Sequence, residues 1–182
     1  MALDNVSQLK AGDILGRELP YSLEAEQAVL GGVLLDPSVL PKVIEILRPD
    51  YFYRPQHQQL FSIMMRMFTA SQTEDIITVI DESVTMGVFE TSAMAKAYLT
   101  GMMEGVPSTA NIESYCRIIE EKYHIRALVN VANEIIETAN EGSADARTML
   151  DSAEQKIFDI RQGNEVQGLT PVSYTHLRAH ET

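Results

Sequence analysis

Apolar residues recur at steps of three and four along most of this chain, and no sustained alternation of apolar and polar residues occurs. This spacing collects them on one side of a helix and predicts an all-α protein. The first predicted helix runs from about Ser22 to Leu35, with Ser22 as its N-cap. Gly31 and Gly32 lie inside its apolar face, although each costs about 1 kcal/mol against alanine in a helix. The pair therefore predicts that another helix packs closely against this face.

Four further helices are predicted before residue 107, each marked by its own start residues. Their start signals are Asp36-Pro37, then Pro55, then Thr78 with Asp81 as a capping box, then Thr91 or Ser92. Stop signals are Pro49 for the second helix, Gly87 for the fourth, and Gly105 with Pro107 for the fifth, while the apolar spacing of the third continues to Phe68. A compact head of several short helices follows from this succession of signals.

The second half of the chain has a different pattern. From Asn111 to about Asn140 it contains neither glycine nor proline, so it predicts one long helix. Gly142 stands where a helix C-cap is expected, and a heptad spacing of apolar residues continues over 144–161. Two amphipathic helices joined by a tight loop predict an antiparallel hairpin. Two interpretations of the outer face of this hairpin remain. It packs either on the preceding helices of the same chain or on the same hairpin of another subunit.

Composition and charge narrow the classes of function. The net charge is −12 and the basic residues are not clustered, which opposes phosphate binding, so we do not expect a principal DNA-binding surface here. The single cysteine, Cys116, excludes an internal disulfide, fits a reducing cytosol and lies on an apolar helix face, which favours a small buried side chain. No apolar run of transmembrane length and no signal-peptide pattern is present, so we expect a soluble protein that is not exported.

The sequence predicts no catalytic, cofactor-binding or metal-binding residues. No phosphate loop occurs, and no glycine is followed by lysine. The four histidines lack metal-ligand spacing, and His57 on an apolar face is interpreted as structural. Glu24 and Glu26 are interpreted as part of a solvated helix face. The methionines at 64, 65, 67, 102 and 103 either fill the core or form an adaptable docking surface.

Seven short strings occur in one order between about residues 19 and 161. They are SLEAEQAVLGGVLLD (22–36), FYRP (52–55) with His57, DIITV (75–79), AYL (97–99), VPSTAN (106–111), RIIEEK (117–122) with ANEI (132–135), and LDSAEQKIF (150–158). Together they resemble the N-terminal domain of DnaB-type bacterial replicative DNA helicases. Because the strings follow one another in the family's order, coincidence is a poor explanation.

The resemblance implies a domain organisation. Residues 1–18 would be a flexible arm, 19–107 the helical head, 108–162 the helical hairpin, and 163–172 the start of a linker. In that family the ATPase lies in a RecA-like domain beyond the linker, so ATP and Mg would bind the parent protein and no cofactor would bind this chain. Residues 173–182 depart from the family pattern and are interpreted as a foreign tail. Whether this chain is itself an enzyme stays open, although it carries no recognisable catalytic residues.

The resemblance also implies a function. The chain would be a collar that oligomerises through its hairpin as a dimer or hexameric ring, and it would dock primase and a helicase loader in the bacterial cytoplasm. The parent would unwind duplex DNA 5′ to 3′ with ATP, would contact DNA only through the missing domain, and would have no membrane partner. Tyr98, Val129 and Ile135 are the candidate partner-binding residues, and the alternative is that all three are ordinary core.

A different class of protein has a related architecture. A stand-alone helical adaptor, such as the helicase-binding domain of a primase, also combines a head with a helical hairpin. The order of the strings from Ser22 to Phe158 favours the helicase over the primase. A third hypothesis, an enzyme with an unrecognised helical active site, has no converging acid, base or nucleophile in the sequence to support it.

Overall fold

The structure is a computed structural model, and it describes residues 19–71, 75–142 and 144–162. Within these ranges it contains seven α-helices and no strand, so the all-α prediction is confirmed. The helices are α1 (Leu23–Leu35), α2 (Leu40–Ile46), α3 (Pro55–Thr69), α4 (Ile76–Thr85), α5 (Ser92–Glu104), α6 (Ile112–Glu141) and α7 (Ala146–Gln162). The predicted arm (1–18), linker start (163–172) and foreign tail (173–182) lie outside the described residues.

Side-chain caps fix most of the helix starts. The Ser22 hydroxyl accepts a hydrogen bond from the backbone N–H of Ala25, as predicted for α1. The predicted capping box of α4 is wrong, because the N-cap is Asp75 and Thr78 lies inside the first turn. The Asp75 carboxylate accepts from the backbone N–H groups of Ile77 and Thr78, at 2.9 and 3.1 Å. One aspartate thus satisfies two donors of the helix end, which the Thr78 hydroxyl could not do.

The chain divides into two compact units, one ending at Tyr123 and one beginning at His124. We call the first the head and the second the hairpin. The sequence places their boundary near residue 108, whereas the structure groups the first turns of α6 with the head. The reason is that Ile112, Cys116 and Ile119 of α6 are buried in the core of the head. The long helix α6 runs through both units.

The core of the head is built around α1, whose Val29, Leu30 and Val33 are fully buried. A Cβ atom added at Gly31 would lie 2.6 Å from the carbonyl oxygen of Met102 in α5. The predicted close approach of another helix at the glycine pair is therefore confirmed. Met102 is also buried, as are Met64 and Met67 of α3, so core filling is the correct interpretation for these methionines.

Candidate interaction sites

Metal ligands and the single cysteine are the first candidates for chemistry in the described part of the chain. Among its residues, no three His, Cys, Asp or Glu side chains are grouped so that they could hold a metal ion. The prediction that Cys116 is a small buried side chain is confirmed, since it is 0% exposed. Burial raises the pKa of its thiol to about 12, so the reactive thiolate is scarce near neutral pH. Every helix in the described ranges is too short or too polar to span a lipid bilayer.

A buried polar network connects three helices of the head, beginning with Glu26 on α1. Its side chain is 2% exposed, so the interpretation of Glu26 as part of a solvated face is wrong. One carboxylate oxygen accepts from the backbone N–H of Tyr53 at 2.6 Å, and the other accepts from that of Arg54 at 3.5 Å. These donors precede α3, where no helical carbonyl is available to them, so Glu26 replaces water as their acceptor.

His57 extends this network from α3 to α5. Its ring is 0% exposed, with Nδ1 at 2.6 Å from the second carboxylate oxygen of Glu26. Its Nε2 lies 2.8 Å from the hydroxyl oxygen of Tyr98 on α5. The prediction of a structural histidine on an apolar face is confirmed, because both ring nitrogens have partners inside the protein.

The sequence did contain a signal for the burial of Glu26. Glu26 follows Leu23 by three positions and precedes Leu30 by four, so it lies on the apolar face of α1. A carboxylate on such a face needs several donors to be buried. Those donors come from a segment nearly thirty residues away, and the sequence pattern alone could not bring them together.

The structure places the three candidate partner-binding residues in two units. Tyr98 belongs to the head, where it is partly buried against the core and its ring lies 5.5 Å from that of Phe89. Val129 and Ile135 belong to the hairpin, in the second part of α6. Ile135 packs against the buried cluster of the hairpin, and Val129 is partly buried at another position around the same helix. Their binding role stays a prediction.

The hairpin is held together by a short internal seam. Ala127 and Val131 of α6 and Ile160 of α7 are buried against one another. Nearer the connecting loop, the Lys156 ammonium forms an ion pair with the Glu134 carboxylate. The later residues of α6 thus pair with the earlier residues of α7, so the helices are antiparallel within this unit, as predicted.

Beside this seam the hairpin exposes large apolar side chains. On α6 these are Ile125, Leu128 and Ile136, exposed by 37, 46 and 37%. On α7 they include Leu150 at 70% and Ile157 at 49%. We call these five residues the apolar stripe. Exposed apolar groups spaced regularly along a helix are typical of an interaction surface.

Comparison with known proteins places this fold in a family. Residues 18–121 match the family model described as the DnaB-like helicase N terminal domain. The chain belongs to this family.

Among the relatives, it is 38% identical over 143 residues to the replicative DNA helicase DnaB of Geobacillus stearothermophilus, covering 79% of this chain and 31% of that protein. It is 36% identical over 151 residues to the replicative DNA helicase DnaC of Bacillus subtilis (strain 168), covering 82% and 33%. The chain thus spans about a third of the length of these relatives.

Solved structures lead to the same DnaB-like family. The crystal structure of the N-terminal domain of DnaB helicase from Mycobacterium tuberculosis has a TM-score of 0.72 and 33% identity. The match covers 78% of this chain and 99% of that one. A second solved structure is that of a DnaB-like replicative helicase and its interactions with primase, with a TM-score of 0.61 and 23% identity. The match covers 76% of this chain and 31% of that one, and it shows the shared fold.

Proposed function

We propose that this domain is the collar of a bacterial replicative helicase, which joins copies of the chain through the hairpin and docks primase. The apolar stripe is the single observation that carries the proposal. ATP-dependent unwinding in the 5′ to 3′ direction, with its ATP and Mg, belongs in this proposal to the rest of the helicase, as does contact with DNA. The net charge of −12 supports leaving DNA to that other part. A helicase loader would bind the assembled collar in the cytoplasm.

The positions of the stripe residues on α6 show which way they point. Leu128 directly follows the buried Ala127, and Ile136 directly follows Ile135, which packs on the seam. In an α-helix each residue is rotated by about 100° around the helix axis from the residue before it. The exposed residues of α6 therefore lie to one side of the seam.

The same relation holds on α7. Leu150 directly follows the partly buried Met149, and Ile157 directly follows Lys156, which reaches across to α6. Because the two helices are antiparallel and face each other, an equal rotation in the same sense brings both sets to the same side of the hairpin. The five residues thus form one apolar surface, made by both helices.

A second copy of the hairpin is the occupant that fits this surface. Leu150 and Ile157 of the stripe are seven residues apart on α7, and such heptad spacing suits packing against further antiparallel helices. A two-fold symmetric contact would place the stripe of one copy on the stripe of another and remove both from water. The alternative, a different helical protein on the same surface, would leave the isolated chain monomeric.

Self-association of the chain tests this proposal. We expect Leu128→Glu and Ile157→Glu each to weaken it at least about tenfold, because a carboxylate would be buried in an apolar contact. The matched control is Phe158→Glu, since Phe158 is 51% exposed but lies one further residue around α7, away from the stripe. Sedimentation velocity over a range of concentrations measures the effect. A wild-type chain that stays monomeric, or equal weakening by all three variants, would contradict pairing through the stripe.

Primase docking is the second part of the proposal, supported by the relative solved with primase. We expect Tyr98→Ala and Val129→Ala to weaken binding of the primase encoded in the same genome, because both residues are partly exposed. Val129 lies seven residues before Ile136, on the stripe side of α6, so its variant is compared with the wild type at equal degrees of self-association. Ile135→Ala should mainly lower the melting temperature, since Ile135 packs on the seam. Fluorescence anisotropy and thermal melts separate the two effects. Unchanged affinity in the first two variants, or a large loss of melting temperature in both, would remove the support for docking at these residues.

A further inference from the structure

The buried network of the head ends at a residue that is partly exposed. Glu26 and His57 are fully enclosed, whereas Tyr98 is only partly buried. The chain of contacts runs from the Glu26 carboxylate to Nδ1 of His57 at 2.6 Å and from Nε2 to the Tyr98 hydroxyl at 2.8 Å. It therefore joins α1 and α3 in the core to one side chain on α5 that remains in reach of a partner.

The positions of the hydrogens in this chain follow from its first member. Both oxygens of Glu26 face backbone N–H groups, those of Tyr53 and Arg54, so they act as acceptors. The Nδ1 atom of His57 must then carry a hydrogen and donate it to Glu26. In the neutral imidazole Nε2 is left as an acceptor, so the Tyr98 hydroxyl donates its hydrogen inward.

We propose that Glu26 and His57 are positioning residues for Tyr98, which they hold ready for a partner; this rests on the proposed docking at Tyr98. The hydroxyl is anchored by His57 at one end of the ring, and Phe89 packs beside it at a centroid distance of 5.5 Å. A side chain that is fixed before binding does not lose its rotamer freedom on association. Because its only hydroxyl hydrogen points inward to His57, Tyr98 offers a partner its aromatic ring and no hydroxyl donor.

A spectroscopic test reads the direction of the hydrogen bonds directly. We expect the nitrogen chemical shifts of the neutral His57 ring to show a protonated Nδ1 and an unprotonated Nε2. Glu26→Gln should move the ring hydrogen from Nδ1 to Nε2. The side-chain N–H of the glutamine can donate to Nδ1, while its side-chain oxygen still accepts from the backbone N–H of Tyr53. A protonated Nε2 in the wild-type chain, or an unchanged tautomer in the variant, would overturn the assignment. A purely space-filling role for His57 predicts no such reversal.

A binding test separates positioning from docking. Tyr98→Phe keeps the ring and removes only the hydroxyl, so we expect its affinity for the same primase to fall about three- to tenfold, the cost of ordering one side chain. Full wild-type affinity in Tyr98→Phe, together with a loss in Tyr98→Ala, would overturn positioning and leave docking intact. Full affinity in both variants would instead overturn the proposed docking at Tyr98.

Discussion

Replacing Gly31 by alanine is expected to destabilise the head by about 3 kcal/mol, even though alanine is the better helix former. The new Cβ atom would lie 2.6 Å from the carbonyl oxygen and 2.8 Å from the carbonyl carbon of Met102. These are backbone atoms of α5, so relief of the clash requires the two helices to move apart. Urea denaturation followed by far-UV circular dichroism measures the loss.

Gly101 provides the matched control for this substitution. It lies in α5, next to Met102, and a Cβ atom there would meet nothing within 4 Å. We expect Gly101→Ala to stabilise the head by up to about 1 kcal/mol, through helix propensity alone. If Gly31→Ala were as stable as the wild type, the close packing of α1 against α5 would be refuted.

Replacing Glu26 by alanine is expected to cost about 3–5 kcal/mol of the free energy of unfolding, which is the effect of removing one member of a buried charged network. The backbone N–H of Tyr53 and Nδ1–H of His57 would each lose their acceptor inside the protein. A cavity at the site would add to this loss, because Glu26 is almost completely enclosed.

Glu24 is the natural comparison, since it is a second glutamate in the first turn of α1 but is exposed. Glu24→Ala removes only a favourable interaction with the helix dipole, for which we expect less than about 1 kcal/mol. Denaturation of the two variants side by side tests the network. Equal stability of Glu24→Ala and Glu26→Ala would show that the contacts of Glu26 contribute nothing.

Local signals predicted most of the helices, although the start of α4 was misassigned and Pro37 opens a 3-10 turn before α2. Ser22, Pro55 and Thr91 marked starts that the structure confirms, and the absence of glycine and proline after Asn111 predicted the full length of α6. The glycine pair on α1 even predicted a long-range contact, because a helix face without Cβ atoms lets another backbone approach closely. Each of these inferences depends on residues that are close together in sequence.

The buried network escaped prediction because its members are far apart in sequence. Glu26, His57 and Tyr98 are separated by 31 and 41 residues, and each residue has a simple local interpretation of its own. The outer face of the hairpin is a different case. Its apolar spacing was visible, but only the structure shows that Leu128 and Ile157 remain exposed after the two helices have packed.

Thiol protection tests most directly whether copies of this domain pair through the apolar stripe, as we propose. Ile157→Cys and Phe158→Cys place thiols at neighbouring positions that are 49 and 51% exposed in the native residues. The native Cys116 adds little background, because it is fully buried and its pKa is raised to about 12. As protein concentration rises, we expect alkylation of Cys at position 157 by iodoacetamide to slow, while alkylation at position 158 keeps its rate. Equal alkylation rates at both positions, at every concentration, would contradict pairing through the stripe.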